Sequence, residues 1–278
     1  MYRKIEKEEI NSAVSTISEN GFCSIKSFLN EGTIKKLLGL VEREQSRNAS
    51  KKPRNVPDRD ANDKIVYNLQ CLDKSFIDLV SSELVSEIAK PFLNDPYYRF
   101  LDTELPNYNL TYYNARSSGQ QLDLHIDSGI PFKGPSALAM QFVFLLEDST
   151  ENNGCTVIVP KSHQSGTYTD RSLDLESLHK LTGKKGDVII WDSRSWHGSL
   201  PNKTGESRWA LISTFARWFV KPQMNIAKTI DDELYKQCSD AQKHLLGFCS
   251  IPPTDPYDRV NTKNGYEFLK DSVDDYEF

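Results

Sequence analysis

Apolar residues recur at helical spacing near the start of the chain. Ile10, Val14 and Ile17 mark one such face, and Ile34, Leu37, Leu38 and Val41 mark a second. A third helix is predicted from about Lys74 to Leu93, with Phe76, Leu79, Val80, Leu84, Val85 and Ile88 on its apolar side. Between the second and third lies SRNASKKPRNVPDRDANDK, from Ser46 to Lys64. It is polar, holds two prolines and cannot pack a core, so it reads as a long mobile loop. Its length and polarity suit an active-site lid. From about Asn107 the pattern shortens to strands: NYNLTYYNA, QQLDLHID, SALAMQFVFLLED, CTVIVP, GDVIIWD and SRWALISTFARWFV. Gly, Asn, Ser and Pro clusters separate them. A short helical stretch is expected at Leu173 to Leu181, and helix returns from Asp231 to Leu246 before a frayed acidic tail, DSVDDYEF. Such a series of short strands points to a sandwich, barrel or jelly roll, not a parallel sheet with crossover helices.

Composition adds mostly exclusions. At 278 residues the chain can bury a sizeable core without staples. It is read as a single domain, with a helical flank over 1–100, a strand-rich core over about 107–220 and a helical extension over 221–278. Its 34 basic and 39 acidic residues give a formal net charge of −5. That balance exerts no global pull on nucleic acid or an anionic membrane, and neither is expected as a partner. The N-terminus carries charges where a signal peptide needs an apolar run. Nothing approaches the roughly 20 consecutive apolar residues of a membrane-spanning helix. The five cysteines, Cys23, Cys71, Cys155, Cys238 and Cys249, are scattered and never form a CxxC pair. They are read as reduced thiols of a cytoplasmic protein.

The strand-rich core carries the chemistry. In LDLHIDSG, His125 and Asp127 stand two apart in an expected strand, so imidazole and carboxylate point to one face. Some seventy residues on, after the apolar strand VIIW, His197 arrives in a turn-like WHGS. Two histidines and one carboxylate on one face of an ion leave its other positions open, as a non-haem Fe(II) oxygenase requires. Arg208 stands at the start of the next strand, where it can meet a dicarboxylate end-on through paired charge-assisted hydrogen bonds. Ser199 can donate a hydroxyl to the same carboxylate. A lone HxD is weak; the ordered set is not.

From Tyr108 to Val220 the chain resembles the phytanoyl-CoA dioxygenase family. The likeness rests on HIDSG, on ENNGCTVIVPKSHQSG and on GDVIIWDSRSWHGS followed by Arg208. It implies a mainly β protein with flanking helices, built on a double-stranded β-helix, a cupin-like jelly roll. It also implies His125, Asp127 and His197 as metal ligands and catalytic residues, with Arg208 and Ser199 gripping 2-oxoglutarate. The implied activity is that of an Fe(II)/2-oxoglutarate-dependent dioxygenase. Such an enzyme consumes O2, hydroxylates a small-molecule substrate and releases succinate and CO2. Related halogenases lack the carboxylate and place chloride there, so Asp127 argues against halogenation.

The remaining residues are read more plainly. His163 falls in a structural turn, while His179 and His244 are placed on helices as packing or surface residues. Arg217 competes with Arg208 for the cosubstrate but lies on the opposite face of its strand. Trp191, Trp196, Tyr112 and Tyr113 are candidates to line the substrate mouth, although strand aromatics are more often core. Arg47, Lys51, Lys52 and Arg54 make the first half of the Ser46–Lys64 stretch basic, which suits an anionic substrate and equally a solvated loop with no such role. Two alternatives remain: a cupin-like oxygenase that does not use 2-oxoglutarate, and a non-catalytic jelly-roll binding protein. Neither calls for the whole set of ligands, Arg208 and Ser199.

Overall fold

Helix α1 (Lys7–Asn20) opens the chain and stops at Gly21, whose φ of 90° lets its N–H cap the Ile17 carbonyl. A Cβ there would also come within 2.6 Å of His163 Nδ1 and Ser195 Oγ, so the position is closed to larger residues. The computed structural model describes residues 2–48, 63–97, 105–117 and 119–248. Strand β1 (Phe22–Ile25) follows, then α2 (Glu31–Asn48), whose first turn is capped by Asn30 Oδ1 accepting from the Thr33 N–H. Strand β2 (Lys64–Val66), helices α3 (Lys74–Val80) and α4 (Glu83–Leu93), and strands β3 (Tyr108–Ser117) and β4 (Leu122–His125) come next. The rest of the sheet strands are β5 (Ala139–Leu145), β6 (Thr156–Ile158), β7 (His179–Leu181), β8 (Val188–Asp192), β9 (His197–Ser199) and β10 (Ala210–Arg217). Short helices α5 (Ile226–Thr229), α6 (Asp232–Lys236) and α7 (Asp240–Leu245) close the described chain.

Two sheets result, in the orders β1-β8-β5-β10-β3-β2 and β4-β9-β6-β7. This is the expected jelly roll. Every residue of β5 and β8 is buried, which explains their unbroken apolar character: both faces of these strands are covered. On one face, Val143, Leu145, Ile158, Leu181, Ile189, Trp191 and Ala210 form a cluster shared by the two sheets. On the other, α1 packs against β1 and β8.

The chain divides into two compact units, and the functional residues of interest fall in the first, Met1–Tyr67 with Asn114–Ile212. The second comprises Asn68–Tyr113 and Ser213–Phe278. Its own core includes Tyr108 edge-on to Phe215 and Phe76 edge-on to Tyr113. Gln242 of α7 donates to Asp78 Oδ1 and Ser81 Oγ, tying that helix to α3.

Several expected elements change. The third helix breaks in two because Ser81 and Ser82 interrupt it, with Asp73 capping α3 through the Ser75 N–H. The C-terminal helix is likewise split, a capping box of Ser239 and Gln242 restarting it as α7. The stretch at Leu173 to Leu181 is a single 3-10 turn followed by strand β7, so His179 sits on a strand. The predicted Ser46–Lys64 loop is shorter at both ends, since α2 runs to Asn48 and β2 begins at Lys64. Its centre, the lid reading and the acidic tail lie outside the described residues. Among the described residues, no helix is long and apolar enough to cross a membrane.

Candidate metal centre

Antiparallel pairing of β4 with β9 sets His125 directly opposite His197. Their ring centroids lie 4.2 Å apart. The strands approach so closely that a Cβ on Gly198 would sit 2.5 Å from the Leu122 carbonyl oxygen. Asp127 reaches the pair differently from the sequence expectation. Strand β4 ends at His125, and Asp127 stands in the turn beyond it. Its N–H and that of Ser128 both bond to the Ser193 carbonyl, at 2.9 and 3.0 Å. That stitches the turn to the segment entering β9. His197 is itself strand, not turn.

The segment before His197 is held rigidly. Arg194 donates to both carboxylate oxygens of the buried Asp192, with a closest approach of 2.7 Å. It also donates to the Gly134 carbonyl at 2.8 Å and lies over the Phe132 ring. Losing one partner of so buried a pair typically costs about 3–5 kcal/mol, because the other charge is stranded. The 128–136 loop after Asp127 is thereby fastened to the turn that presents His197.

Each imidazole is oriented by the chain. His125 Nδ1 lies 2.9 Å from the Asp123 carbonyl and His197 Nδ1 lies 3.0 Å from the Ser195 carbonyl. A carbonyl only accepts, so Nδ1 carries the proton and Nε2 presents its lone pair to the centre. Nε2 of His197 is 3.2 Å from Asp127 Oδ2, and Nε2 of His125 is 3.6 Å from Oδ1. The three ligand atoms all lie within 4.8 Å of one another. Burial acts to lower the His125 pKa, but the hydrogen bond and charge of Asp127 outweigh it and leave the group raised. Burial acts to raise Asp127, yet His197 and His125 hold its carboxyl well below the usual carboxylate range. Gln141 of β5, which the sequence reading passed over, donates from Nε2 to Asp127 Oδ2 at 2.9 Å.

Arg208 lies in the same unit. It precedes Ala210 of the interior cluster by two residues, and extended chain repeats its facing every two. Its backbone N–H donates to Ser117 Oγ at 2.8 Å. The residue is only 9% exposed, and its Nε has no hydrogen-bond partner. Burial pushes the guanidinium down to about 10, an effect Cys155 opposes and Arg116 reinforces. Burial also pushes the Cys155 thiol up to about 11, so it stays neutral and supplies no counter-charge. Ser199 shares the face of His197 on β9 and pairs with Thr156, the neighbour of Cys155.

The other named residues separate. Trp191 is 5% exposed, its ring 5.0 Å from that of His197, and its Nε1 is a buried donor without a partner. Tyr113 is 1% exposed and packs edge-on to Phe76; Tyr112 is half-buried. Trp196 donates to the Thr167 carbonyl. His163 is buried with Nε2 3.2 Å from the Ser18 carbonyl, a packing role beside α1. His244 is buried in α7, and burial lowers its pKa to about 4. Arg217 donates to the Phe92 carbonyl at 2.8 Å.

The fold and this cluster define a class: a cupin-like jelly roll with two histidines and a carboxylate converging from neighbouring segments. The chain belongs to the phytanoyl-CoA dioxygenase family, whose profile, phytanoyl-CoA dioxygenase (PhyH), matches residues 17–210. Dioxygenase af480 of Aspergillus fumigatus is 27% identical over 192 residues, covering 67% of this chain and 59% of that protein. The chain spans less than two thirds of the length of the curated relatives it matches. HygX from Streptomyces hygroscopicus, solved with nickel and 2-oxoglutarate bound, superposes with a TM-score of 0.61 at 13% identity. That match covers 80% of this chain and 91% of HygX. The epimerase SnoN from nogalamycin biosynthesis, in complex with Fe3+, alpha ketoglutarate and nogalamycin RO, gives a TM-score of 0.56 at 14% identity, covering 82% and 90%. These two likenesses establish the fold.

Proposed function

We propose that the protein is an Fe(II)- and 2-oxoglutarate-dependent dioxygenase that hydroxylates a C–H bond of a small-molecule metabolite. One observation carries the reading. The unit that brings His125, Asp127 and His197 together also contains a buried arginine, Arg208, whose Nε has no hydrogen-bond partner and which, among the described residues, forms no ion pair. A buried cation without a counter-charge is costly, and a carboxylate meeting it end-on removes that cost. Trp191 Nε1 is a second buried donor in want of an acceptor. An acceptor-rich dianion such as 2-oxoglutarate fits both. Relatives named as dioxygenases, and neighbours solved with iron or nickel and 2-oxoglutarate, support the same choice.

In this reading His125 Nε2, His197 Nε2 and an oxygen of Asp127 would hold Fe(II), a donor set of imidazole and carboxylate without thiolate. Bound there, the ion supplies the redox chemistry that couples oxidative decarboxylation of 2-oxoglutarate by O2 to substrate hydroxylation, with succinate and CO2 as co-products. The chain's own part is positional. Asp123 and Ser195 fix the imidazole tautomers, Arg208 and Ser199 receive the distal carboxylate, and the apolar cluster around Val143 and Ile189 keeps water out. Cys23, Cys71, Cys155 and Cys238 are all free thiols, in keeping with a cytoplasmic setting.

An oxygenase without 2-oxoglutarate would leave Arg208 without purpose, and a mere binding protein would leave the metal cluster so. The test is thermal unfolding with Mn(II) alone and then with 2-oxoglutarate, followed by a metabolite screen for Fe(II)-dependent succinate release. Each true ligand raises the midpoint by mass action. No added stabilisation by 2-oxoglutarate, together with no succinate from any metabolite, would sink the reading.

A further inference from the structure

Strand β5 reads AMQFVFL, and all of its residues are buried. Gln141 is the one side chain in that run able to donate a hydrogen bond through an amide, and it is 4% exposed. Leaving such an amide unsatisfied in the interior is costly, so a glutamine persists in an apolar strand where it has a partner. Its partner is the Asp127 carboxylate, met at Oδ2 by Gln141 Nε2 at 2.9 Å. Gln141 stands opposite Trp191 in the β5–β8 register, and Trp191 in turn packs on His197. The amide is therefore fixed by the sheet, not by the turn that carries Asp127.

A carboxylate can hold a metal ion through one oxygen or chelate it through both. The choice decides how many positions remain. An octahedral ion held by two imidazoles and one carboxylate oxygen keeps three, enough for a bidentate keto acid and O2. A chelating carboxylate leaves one too few. We infer that Gln141 is a positioning residue that engages Oδ2 of Asp127, makes it a one-oxygen ligand and so keeps a coordination position free. The inference rests on the metal-ligand assignment above, and it deepens that reading without altering the ligands.

The consequence is legible without turnover. Gln141→Leu and Gln141→Met remove the donor while keeping an apolar side chain of similar length. Loaded with Mn(II), both variants should hold the ion within about threefold of the wild-type affinity, since chelation replaces what the hydrogen bond supported. Water-proton relaxation by the bound Mn(II) should fall, because the second carboxylate oxygen displaces a coordinated water. Affinity of the Mn(II)-loaded variants for 2-oxoglutarate should drop at least tenfold. A residue that merely packs would shift the unfolding midpoint and leave relaxation unchanged, and that result in either folded variant overturns the inference. So does loss of Mn(II) binding with the fold intact, since Gln141 would then support binding itself and not the coordination number. Wild-type protein that binds Mn(II) but not 2-oxoglutarate would defeat the cosubstrate reading alone. The relaxation comparison would still decide the role of Gln141.

Discussion

The metal centre, of whose ligands only His197 is buried, and the buried Arg208 end of the same unit are both polar, yet they are finished to different degrees. At the centre, each group already has its partner. The two Nδ1 atoms meet backbone carbonyls, the two Nε2 atoms face Asp127, and Asp127 accepts from Gln141. Arg208 has its backbone satisfied by Ser117 but its Nε unpartnered, and its charged neighbour Arg116 repels it. A fold can preassemble a cation site from its own carboxylate, because a hydrogen bond from Gln141 holds that carboxylate in place until the ion comes. It cannot do the same for an anion site without occupying the arginine. In the function proposed above, the first half is ready in the chain alone, and the second is completed by its ligand.

The largest expected effect breaks the first half. His197→Ala or His125→Ala should weaken Mn(II) binding by more than about 100-fold, beyond the roughly 10–100-fold seen when only a supporting residue is lost. Turnover should vanish. The apoprotein should still unfold cooperatively, since the interior cluster of Val143, Leu145, Ile189 and Trp191 does not depend on the ion. Near-normal Mn(II) binding in either variant would remove that histidine from the ligand set.

Arg208→Ala acts on the second half. Truncating one partner of a buried charge pair costs about 2–5 kcal/mol, so the 2-oxoglutarate requirement should rise more than tenfold. Mn(II) affinity should be nearly unchanged. Without 2-oxoglutarate the variant should be no less stable than the wild type, because the lost side chain is an unpaired buried cation. A 2-oxoglutarate titration that matches the wild type would refute the assignment of Arg208.

Part of this contrast could be read from the sequence, and part could not. The spacing of His125 and Asp127, the delivery of His197 by VIIW and the offset of Arg208 all follow from residue type and order. The backbone details did not. Asp127 faces His125 from a turn, because β4 stops early and Ser193 captures two N–H groups beyond it. The three-residue strands β7 and β9, and β1 beneath α1, are too short for periodicity to reveal. Gln141 left a trace in the sequence, a lone amide inside AMQFVFL. Its partner lies across a loop, and only the folded sheet brings the two together. The split at Ser81 and Ser82 was visible as two adjacent hydroxyl residues, but a continuous apolar face on both sides masked it.

Acid should separate the two halves more gently. A metal needs its imidazoles neutral, and His125 has its pKa raised by Asp127. Mn(II) affinity should therefore fall as pH drops through that raised value, by up to about tenfold per pH unit once His125 is protonated. Asp127, held far down, stays ionised throughout this window. Burial lowers the Arg208 pKa only to about 10, so 2-oxoglutarate affinity of protein kept saturated with Mn(II) should be flat from neutral pH to about one unit below that value. Isothermal titrations at a series of pH values give both curves. Parallel curves would mean that a single group governs both halves.

The smallest expected effect is at Arg217, and it checks that the contrast belongs to Arg208 and not to any arginine of that strand. Arg217 differs from Arg208 by an odd number of positions, so an extended chain turns it to the other face. There it donates from Nη2 to the Phe92 carbonyl at 2.8 Å. Arg217→Ala removes that bond and should lower stability by about 0.5–1.5 kcal/mol. It should leave both Mn(II) and 2-oxoglutarate titrations where they were. Denaturant unfolding measures the first, and binding to the Mn(II)-loaded protein measures the second. A tenfold loss of 2-oxoglutarate affinity in Arg217→Ala, with Arg208→Ala unaffected, would reverse the assignment and place the cosubstrate against the opposite face of the strand.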